Sequence, residues 1–225
     1  MKGSFNCTIV VIMGKSDLKT FLLKKKIGKV GLKKIIKVIL VSLLVIYIPI
    51  ASIAFISNLT TKSDNYVAIL LSAHAFTNYD HWAPPIAFFG SYPAWTLYFN
   101  SKGLKTDYIF SATKKDFINV ILDEKCLSIV LVGHGSYNNW QATDGIVGNF
   151  DIERLKGKFK KKAGEWFQLS CSFSDYSPIQ LGEMVMENGK SYYYNGENAG
   201  TIDFVLDALF AFRHIKAEAE KRDRQ

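Results

Sequence analysis

The chain has 225 residues, of which 48% are hydrophobic and three are cysteine, a composition that excludes a disordered polypeptide and a disulfide-based miniprotein. Its net charge of +8 comes from one end, because residues 1–62 contain 11 Lys, no Arg and a single acidic residue, Asp17. Residues 63–225 contain 17 basic and 19 acidic residues, so the charge gives no support to a nucleic-acid-binding domain.

An uncharged apolar run follows the basic segment. Residues 38–56 read VILVSLLVIYIPIASIAFI, and about 20 such residues are enough for one transmembrane helix, which tolerates Pro49 as a kink. A cleaved signal peptide is the alternative, but its apolar region is usually only about 7–15 residues long. The run therefore predicts an uncleaved membrane anchor.

The lysines on the amino-terminal side of this run predict its orientation. Positive flanks stay in the cytoplasm, so residues 1–37 are expected to form a basic cytoplasmic tail that contacts anionic lipids. The rest of the chain then lies outside the cell membrane. We expect a polar linker at residues 57–64, which includes the glycosylation sequon Asn58-Leu59-Thr60, and a folded domain at residues 65–225.

Short β-branched or aromatic runs alternate with amphipathic segments throughout this domain. Thr113 and Asp116 form a capping-box pattern at the start of one predicted helix. The last predicted helix begins at about Thr201, and its apolar spacing predicts an inward face of Ile202, Val205, Leu206, Leu209 and Phe210. The predicted strands are residues 66–72, 107–110, a run from 128 that ends at His134, the run 166–171 that ends at Cys171, and residues 191–194. Alternation of this kind predicts a three-layer α/β/α sandwich with a mostly parallel sheet.

Two chemically reactive side chains lie at the ends of predicted strands of this sheet. His134 ends the third predicted strand and Cys171 ends the fourth. Ligands and reactions of open α/β sheets lie at the carboxyl ends of the strands, and a thiol becomes a good nucleophile beside a base such as imidazole. Cys126 precedes its strand, roughly 20 Å from Cys171 at about 3.3 Å per residue, too far for a disulfide. Cys171 is therefore predicted to be a free thiol.

The residues around this pair resemble a known family. The segment Gly133-His134-Gly135-Ser136 with Trp140, followed by Leu169-Ser170-Cys171, resembles the caspase-like (clan CD) cysteine peptidases, and most closely the gingipain-type (C25-like) branch. The resemblance implies that Cys171 attacks a peptide bond to form a thioester acyl-enzyme and that His134 transfers protons. It also implies an oxyanion hole made by the backbone N–H groups of Gly135 and Cys171.

The resemblance leaves secondary roles and rival interpretations open. Trp140, Asp80 and Ser136 are candidate contacts for a peptide or protein substrate, and Asp80 is also a candidate to orient the histidine. No metal and no cofactor is expected. One rival is a catalytically inactive membrane-tethered binding or scaffold domain of the same fold. Two further alternatives are a papain-like order of Cys171 and His214 and a metal site formed by His74, Asp80 and His81.

Overall fold

The structure is a computed structural model that describes residues 29–75, 80–136, 138–170, 180–187, 190–194, 201–222 and 224. The chain divides into two compact units, Met1–Ser52 and Ile53–Gln225. The basic segment before residue 29 lies outside the described residues.

The first helix, α1, covers Lys29–Thr60 and contains the whole apolar run together with Pro49. Within the described residues, no helix meets the length and apolarity required to cross a membrane. The side chains of residues 39, 40, 42 and 43, inside the apolar run, are not among those described. Apolar side chains of the run that are described and exposed include Val41, Leu44, Val45, Ile46, Ile48, Ile50, Ile53, Phe55 and Ile56.

The strands of the second unit, in chain order, are β1 (Tyr66–Leu71), β2 (Lys105–Phe110), β3 (Cys126–Val132), β4 (Gly135–Ser136), β5 (Asn139–Ala142), β6 (Gly145–Gly148), β7 (Trp166–Leu169) and β8 (Ser191–Tyr193). Five of them form a parallel sheet with the order β2-β1-β3-β7-β8. A strand is present at each of the five predicted places and the parallel direction is confirmed, but β3 ends at Val132 and β7 at Leu169, two residues before the predicted ends.

Helices cover both faces of this sheet. Alternate residues of β1 enter different cores, because Val67 and Ile69 pack with Trp95 on one face while Leu70 packs with Phe117 on the other. The predicted three-layer α/β/α arrangement is thus present, and so is the capping box at the start of α3. The remaining helices are α2 (Ala83–Asn100), α3 (Lys114–Leu122), α4 (Asn149–Glu153), α5 (Leu181–Val185), α6 (Thr201–Phe210) and α7 (Arg213–Arg222).

The predicted linker 57–64 is only partly correct, because α1 continues to Thr60. Asn58 pairs with the backbone of edge strand β2: its Nδ2 donates to Thr106 O (3.1 Å) and its Oδ1 accepts from Thr106 N (2.8 Å). Asn100 Nδ2 donates to the same Oδ1 at 3.0 Å. The carboxamide occupies the place of a neighbouring strand, so the nitrogen that glycosylation would modify is already engaged in the fold.

The predicted inward face of the last helix is wrong. Ile202 and Leu209 are 72% and 61% exposed, while Phe212 and Ile215 are fully buried. The physical reason is that the helix is interrupted between α6 and α7, where Ala211 and Phe212 have positive φ angles of 49° and 65°. Val205 and Phe210 are exposed as well. The prediction assumed one continuous helix, and the interruption changes which face of the segment is buried.

Asp207 holds the junction between α6 and α7 together. Its fully buried carboxylate accepts hydrogen bonds from the Tyr194 hydroxyl at 2.7 Å and from the backbone N–H groups of His214 (2.8 Å) and Ile215 (3.0 Å). Burial raises the pKa of Asp207, and the hydrogen bonds act in the opposite direction. The contacts stabilise the start of α7, a purely structural role.

The three short strands that follow β3 form a second, antiparallel sheet with the order β4-β5-β6. Trp140 of β5 and Val147 of β6 join the core beside α3. This hairpin therefore lies immediately after β3 and directly follows His134.

Candidate active site

Strands β3 and β7 are neighbours, so the two strand ends singled out by the sequence lie side by side. Their register pairs Val132 with Leu169, the last residue of each strand. The pairing continues one step further, since Gly133 N donates to Leu169 O at 3.4 Å. Beyond this hydrogen bond, the chain continues from β3 to His134 and from β7 to Ser170, which directly precedes Cys171. Residues 171–179 lie outside the described residues.

The backbone of His134 is held from two sides. Its N–H donates to His74 O at 3.2 Å, which ties it to the segment that follows β1. Its carbonyl accepts from Gln141 N at 2.8 Å, which ties it to β5. The residue is half-buried, and its backbone is tied both to the segment after β1 and to β5.

The backbone N–H of Gly135 is not paired with the neighbouring strand β5. Residues of an antiparallel pair alternate between hydrogen-bonded and non-hydrogen-bonded positions. Gln141 N donates to His134 O, which places these two residues at a hydrogen-bonded position of the ladder, so Gly135 and Trp140, the next pair, are at a non-hydrogen-bonded position. The N–H of Gly135 therefore points away from β5 and is not used in that ladder.

Glycine at position 135 is also required by close packing. A Cβ atom there would lie 2.5 Å from Asn139 O, 3.1 Å from Trp140 Cα and 3.3 Å from Ser170 Oγ. The first of these distances is far below a normal carbon–oxygen contact. The backbone of β5 and the Ser170 side chain take up the space that a side chain at position 135 would need.

Trp140 is a core residue, which corrects its prediction as a substrate contact. Its side chain is fully buried and stacks against Phe117 with a centroid distance of 6.1 Å. A Cβ on Gly133 would lie 2.9 Å from Trp140 Nε1 and 2.9 Å from Ser72 Cβ. The residues of the Gly-His-Gly-Ser-x-x-x-Trp motif thus pack together. The pairing of Gly135 with Trp140 sets the spacing between them in sequence, and Trp140 leaves no room for a side chain at Gly133.

The structure places the other two candidate substrate contacts in local turns. Ser136 Oγ donates to Asn138 Oδ1 and accepts from Asn139 Nδ2, both at 2.7 Å, within the β4–β5 turn. Asp80 Oδ1 accepts from Trp82 N at 2.8 Å just before α2 begins. At least one oxygen of each side chain is therefore engaged in shaping its own loop, which weakens the assignment of Asp80 as the group that orients His134.

Gln168 is a site residue that the sequence interpretation missed. It is 2% exposed, and its Nε2 contacts Ser136 O, Asn139 O (3.0 Å) and Ser170 Oγ (3.0 Å). The available signal was a polar side chain inside the apolar strand Trp166–Leu169, because buried amides need hydrogen-bond partners. The amide joins β7 to the hairpin that follows His134.

The other histidine and metal interpretations find no support. His214 lies on α7, where Nε2 is 2.9 Å from Asp203 Oδ1 and the backbone N–H donates to Asp207. Among the described residues, no three His, Cys, Asp or Glu side chains are grouped as metal ligands, including His74 and Asp80.

Cys126, the free cysteine among the described residues, is unlike a nucleophile. It is fully buried, and burial raises the pKa of its thiol to about 11. A thiol in this state reacts slowly at neutral pH. Cys126 therefore provides an internal reference for the reactivity of Cys171.

Comparison with known proteins finds similarity in structure but none in sequence. The chain matches no protein-family model and no curated protein. Among solved structures it is similar to pro-sf-caspase-1, with 14% sequence identity and a TM-score of 0.37 over 60% of this chain and 57% of that chain. The chain thus spans less than two thirds of that structure's length. A similarity of this size supports no functional conclusion by itself.

Proposed function

We propose that the chain is a cysteine endopeptidase of the caspase-like clan, nearest to its gingipain-type branch. The observation that carries the proposal is the pairing of β3 with β7 up to Val132 and Leu169, which puts the residues preceding His134 and Cys171 on adjacent strands. Neighbouring strands are about 4.8 Å apart, a separation that suits a base and its nucleophile.

In this proposal the Cys171 thiolate attacks the carbonyl carbon of the scissile peptide bond. The N–H groups of Gly135 and Cys171 stabilise the oxyanion, and the described direction of the Gly135 N–H supports this part. His134 protonates the leaving amine as the tetrahedral intermediate collapses to a thioester. It then accepts a proton from the water that hydrolyses the thioester, which releases the acid product and restores the thiol.

The rival proposal is an inactive binding or scaffold domain with the same fold. The engagement of Asp80 with Trp82 favours it, because the acid expected to orient the imidazole is part of a local turn. The two proposals differ in the reactivity of one thiol, which an experiment can measure directly.

Labelling of the full-length chain with a library of peptide acyloxymethyl ketones tests the peptidase proposal. We expect Cys171 to be modified much faster than Cys126, whose raised thiol pKa makes it an internal reference, with sites assigned by mass spectrometry. A Cys171→Ser variant should lose the fast labelling and retain the slow reaction. Equal rates at the two cysteines would contradict the peptidase proposal and support the inactive domain.

We further propose that residues 38–56 of α1 anchor the protein as a single-pass membrane helix, with residues 1–37 in the cytoplasm and the catalytic domain outside. The support is the uncharged run, the exposed apolar side chains along α1 and the lysines that precede the run.

Membrane fractions from expressing cells test the anchor and its orientation. The protein should stay in the membrane pellet after alkaline carbonate extraction, and protease added to intact cells should digest the carboxyl-terminal domain but protect an amino-terminal tag. A matched variant with Leu44→Lys and Ile48→Lys should be released by carbonate. Release of the unaltered protein, or protection of its carboxyl terminus, would contradict the assignment.

A further inference from the structure

Gln168 is a buried amide with an unusual set of contacts. Its neighbours in β7 are apolar, and an amide placed among them without partners would destabilise the fold. Three oxygen atoms lie within hydrogen-bond distance of the two N–H groups of Nε2: Ser136 O, Asn139 O and Ser170 Oγ. The side chain is therefore held in one position by both the hairpin and its own strand.

These three contacts belong to the two sides of the candidate active site. Ser136 and Asn139 are the paired residues at the tip of the β4–β5 hairpin, which carries Gly135. Ser170 directly precedes Cys171, and its Oγ is within 3.3 Å of the position that a Cβ on Gly135 would occupy. The amide thus spans the narrow space between the proposed oxyanion donor and the strand that leads to the nucleophile.

We infer that Gln168 is a positioning residue, which fixes the Gly135 N–H relative to the strand preceding Cys171; this inference rests on the proposed peptidase function. The physical reason is that Ser136 O and Asn139 O are hairpin carbonyls with buried donors at Gln168. Without these donors the contacts that hold the hairpin against β7 are lost, so the hairpin can shift relative to that strand. A displacement of about 1 Å in such an arrangement can cost about 100-fold in rate.

Gln168→Met tests the inference, because methionine keeps the length and volume of the side chain but cannot donate a hydrogen bond. Two probes are used on the full-length chain: iodoacetamide, which requires only a reactive thiol, and a peptide acyloxymethyl ketone, which also requires alignment with the oxyanion hole. We expect the rate of ketone labelling at Cys171 to fall roughly 10- to 100-fold, with a much smaller change for iodoacetamide.

Tyr194→Phe is the matched control, since it removes one buried hydrogen bond, to Asp207, at the α6–α7 junction. It should lower the unfolding temperature but leave the ratio of the two labelling rates unchanged. Gln168→Asn keeps the amide with one methylene less, so we expect a smaller loss, and it replaces the methionine variant if that chain does not fold.

The outcomes separate this inference from the peptidase proposal. An unchanged ratio of rates in the folded Gln168 variant, or a change equal to that in Tyr194→Phe, would overturn the positioning role while fast labelling of the unaltered chain upheld the peptidase. If the unaltered chain itself shows no fast ketone labelling at Cys171, the peptidase proposal fails, and the positioning role fails with it.

Discussion

Replacing His134 with alanine should lower the rate of peptide-probe labelling at Cys171 by about 100- to 10,000-fold at pH 7, the range that a general acid–base group contributes. The expected reason is that the thiol then lacks both a neighbouring base and a proton donor for the departing group. The measurement is the second-order labelling rate between pH 5 and pH 9. The loss should be greatest near neutral pH and should shrink at high pH, where hydroxide ionises the thiol without help.

His214→Ala is the control for this prediction. It removes an imidazole that contacts Asp203 on α6, and its backbone role at Asp207 is retained. We expect it to leave the labelling rate within a few-fold of the unaltered chain, because the contact it removes joins α7 to α6 and involves neither β3 nor β7. A larger loss in His214→Ala than in His134→Ala would revive the papain-like order and contradict the assignment of His134.

Replacing Gly135 with alanine should damage both the stability of the hairpin and the reactivity of the site. The added methyl group would lie 2.5 Å from Asn139 O, a backbone atom that cannot move alone. Overpacking of this kind costs about 1–3 kcal/mol in the free energy of unfolding. Because the strand carrying the proposed oxyanion donor must shift, we expect peptide-probe labelling to fall roughly 100-fold.

Gly90→Ala is the matched control, because a Cβ at this position of α2 would meet no atom within 4 Å. Alanine is the better helix former, so we expect unchanged labelling and a stability gain of up to about 1 kcal/mol. Chemical denaturation measures the stability of both variants. Full activity and stability in Gly135→Ala would show that the hairpin yields easily, and would rule out a fixed oxyanion donor at this residue.

Most of the central sheet could be predicted from local sequence because β1, β3 and β7 are short, mostly apolar and buried. The apolar runs that contain Val130 and Phe167 are buried in the core, so each can be recognised from the sequence as a strand. The order of elements then predicts parallel pairing, and the ends of β3 and β7 become the natural place for chemistry. The candidate positions of His134 and Cys171 follow from this pattern.

The parts of the site that could not be predicted depend on contacts between distant segments. Trp140 has the aromatic character of a cleft residue, but packing against Phe117 places it in the core. The sequence does not show which groups the Gln168 amide contacts. Two of its three acceptors, Ser136 O and Asn139 O, lie in a hairpin whose strands have few apolar residues by which they could be recognised. A hairpin of this kind is stabilised by the pairing of its strands rather than by the strand propensity of its residues.

The final helices show the same limit on a larger scale. A regular apolar spacing from Ile202 to Phe210 predicts an inward face, and local periodicity contains no sign of the turn at Ala211 and Phe212. The burial of Phe212 against Trp95 and Phe167 decides which face of α6 is covered. The exposed side of α6 is therefore a consequence of where the next helix packs.

The amino-acid sequence alone determined the class of the fold, the polarity of the sheet and the two strand ends where His134 and Cys171 occur, because hydrophobic periodicity is a local property. Only the tertiary structure decided that β3 and β7 are adjacent and that the Gly135 N–H is directed away from β5. It also decided that Gln168 of β7 contacts the β4–β5 hairpin. These features depend on pairing between residues far apart in the chain, where packing and hydrogen bonding select one arrangement.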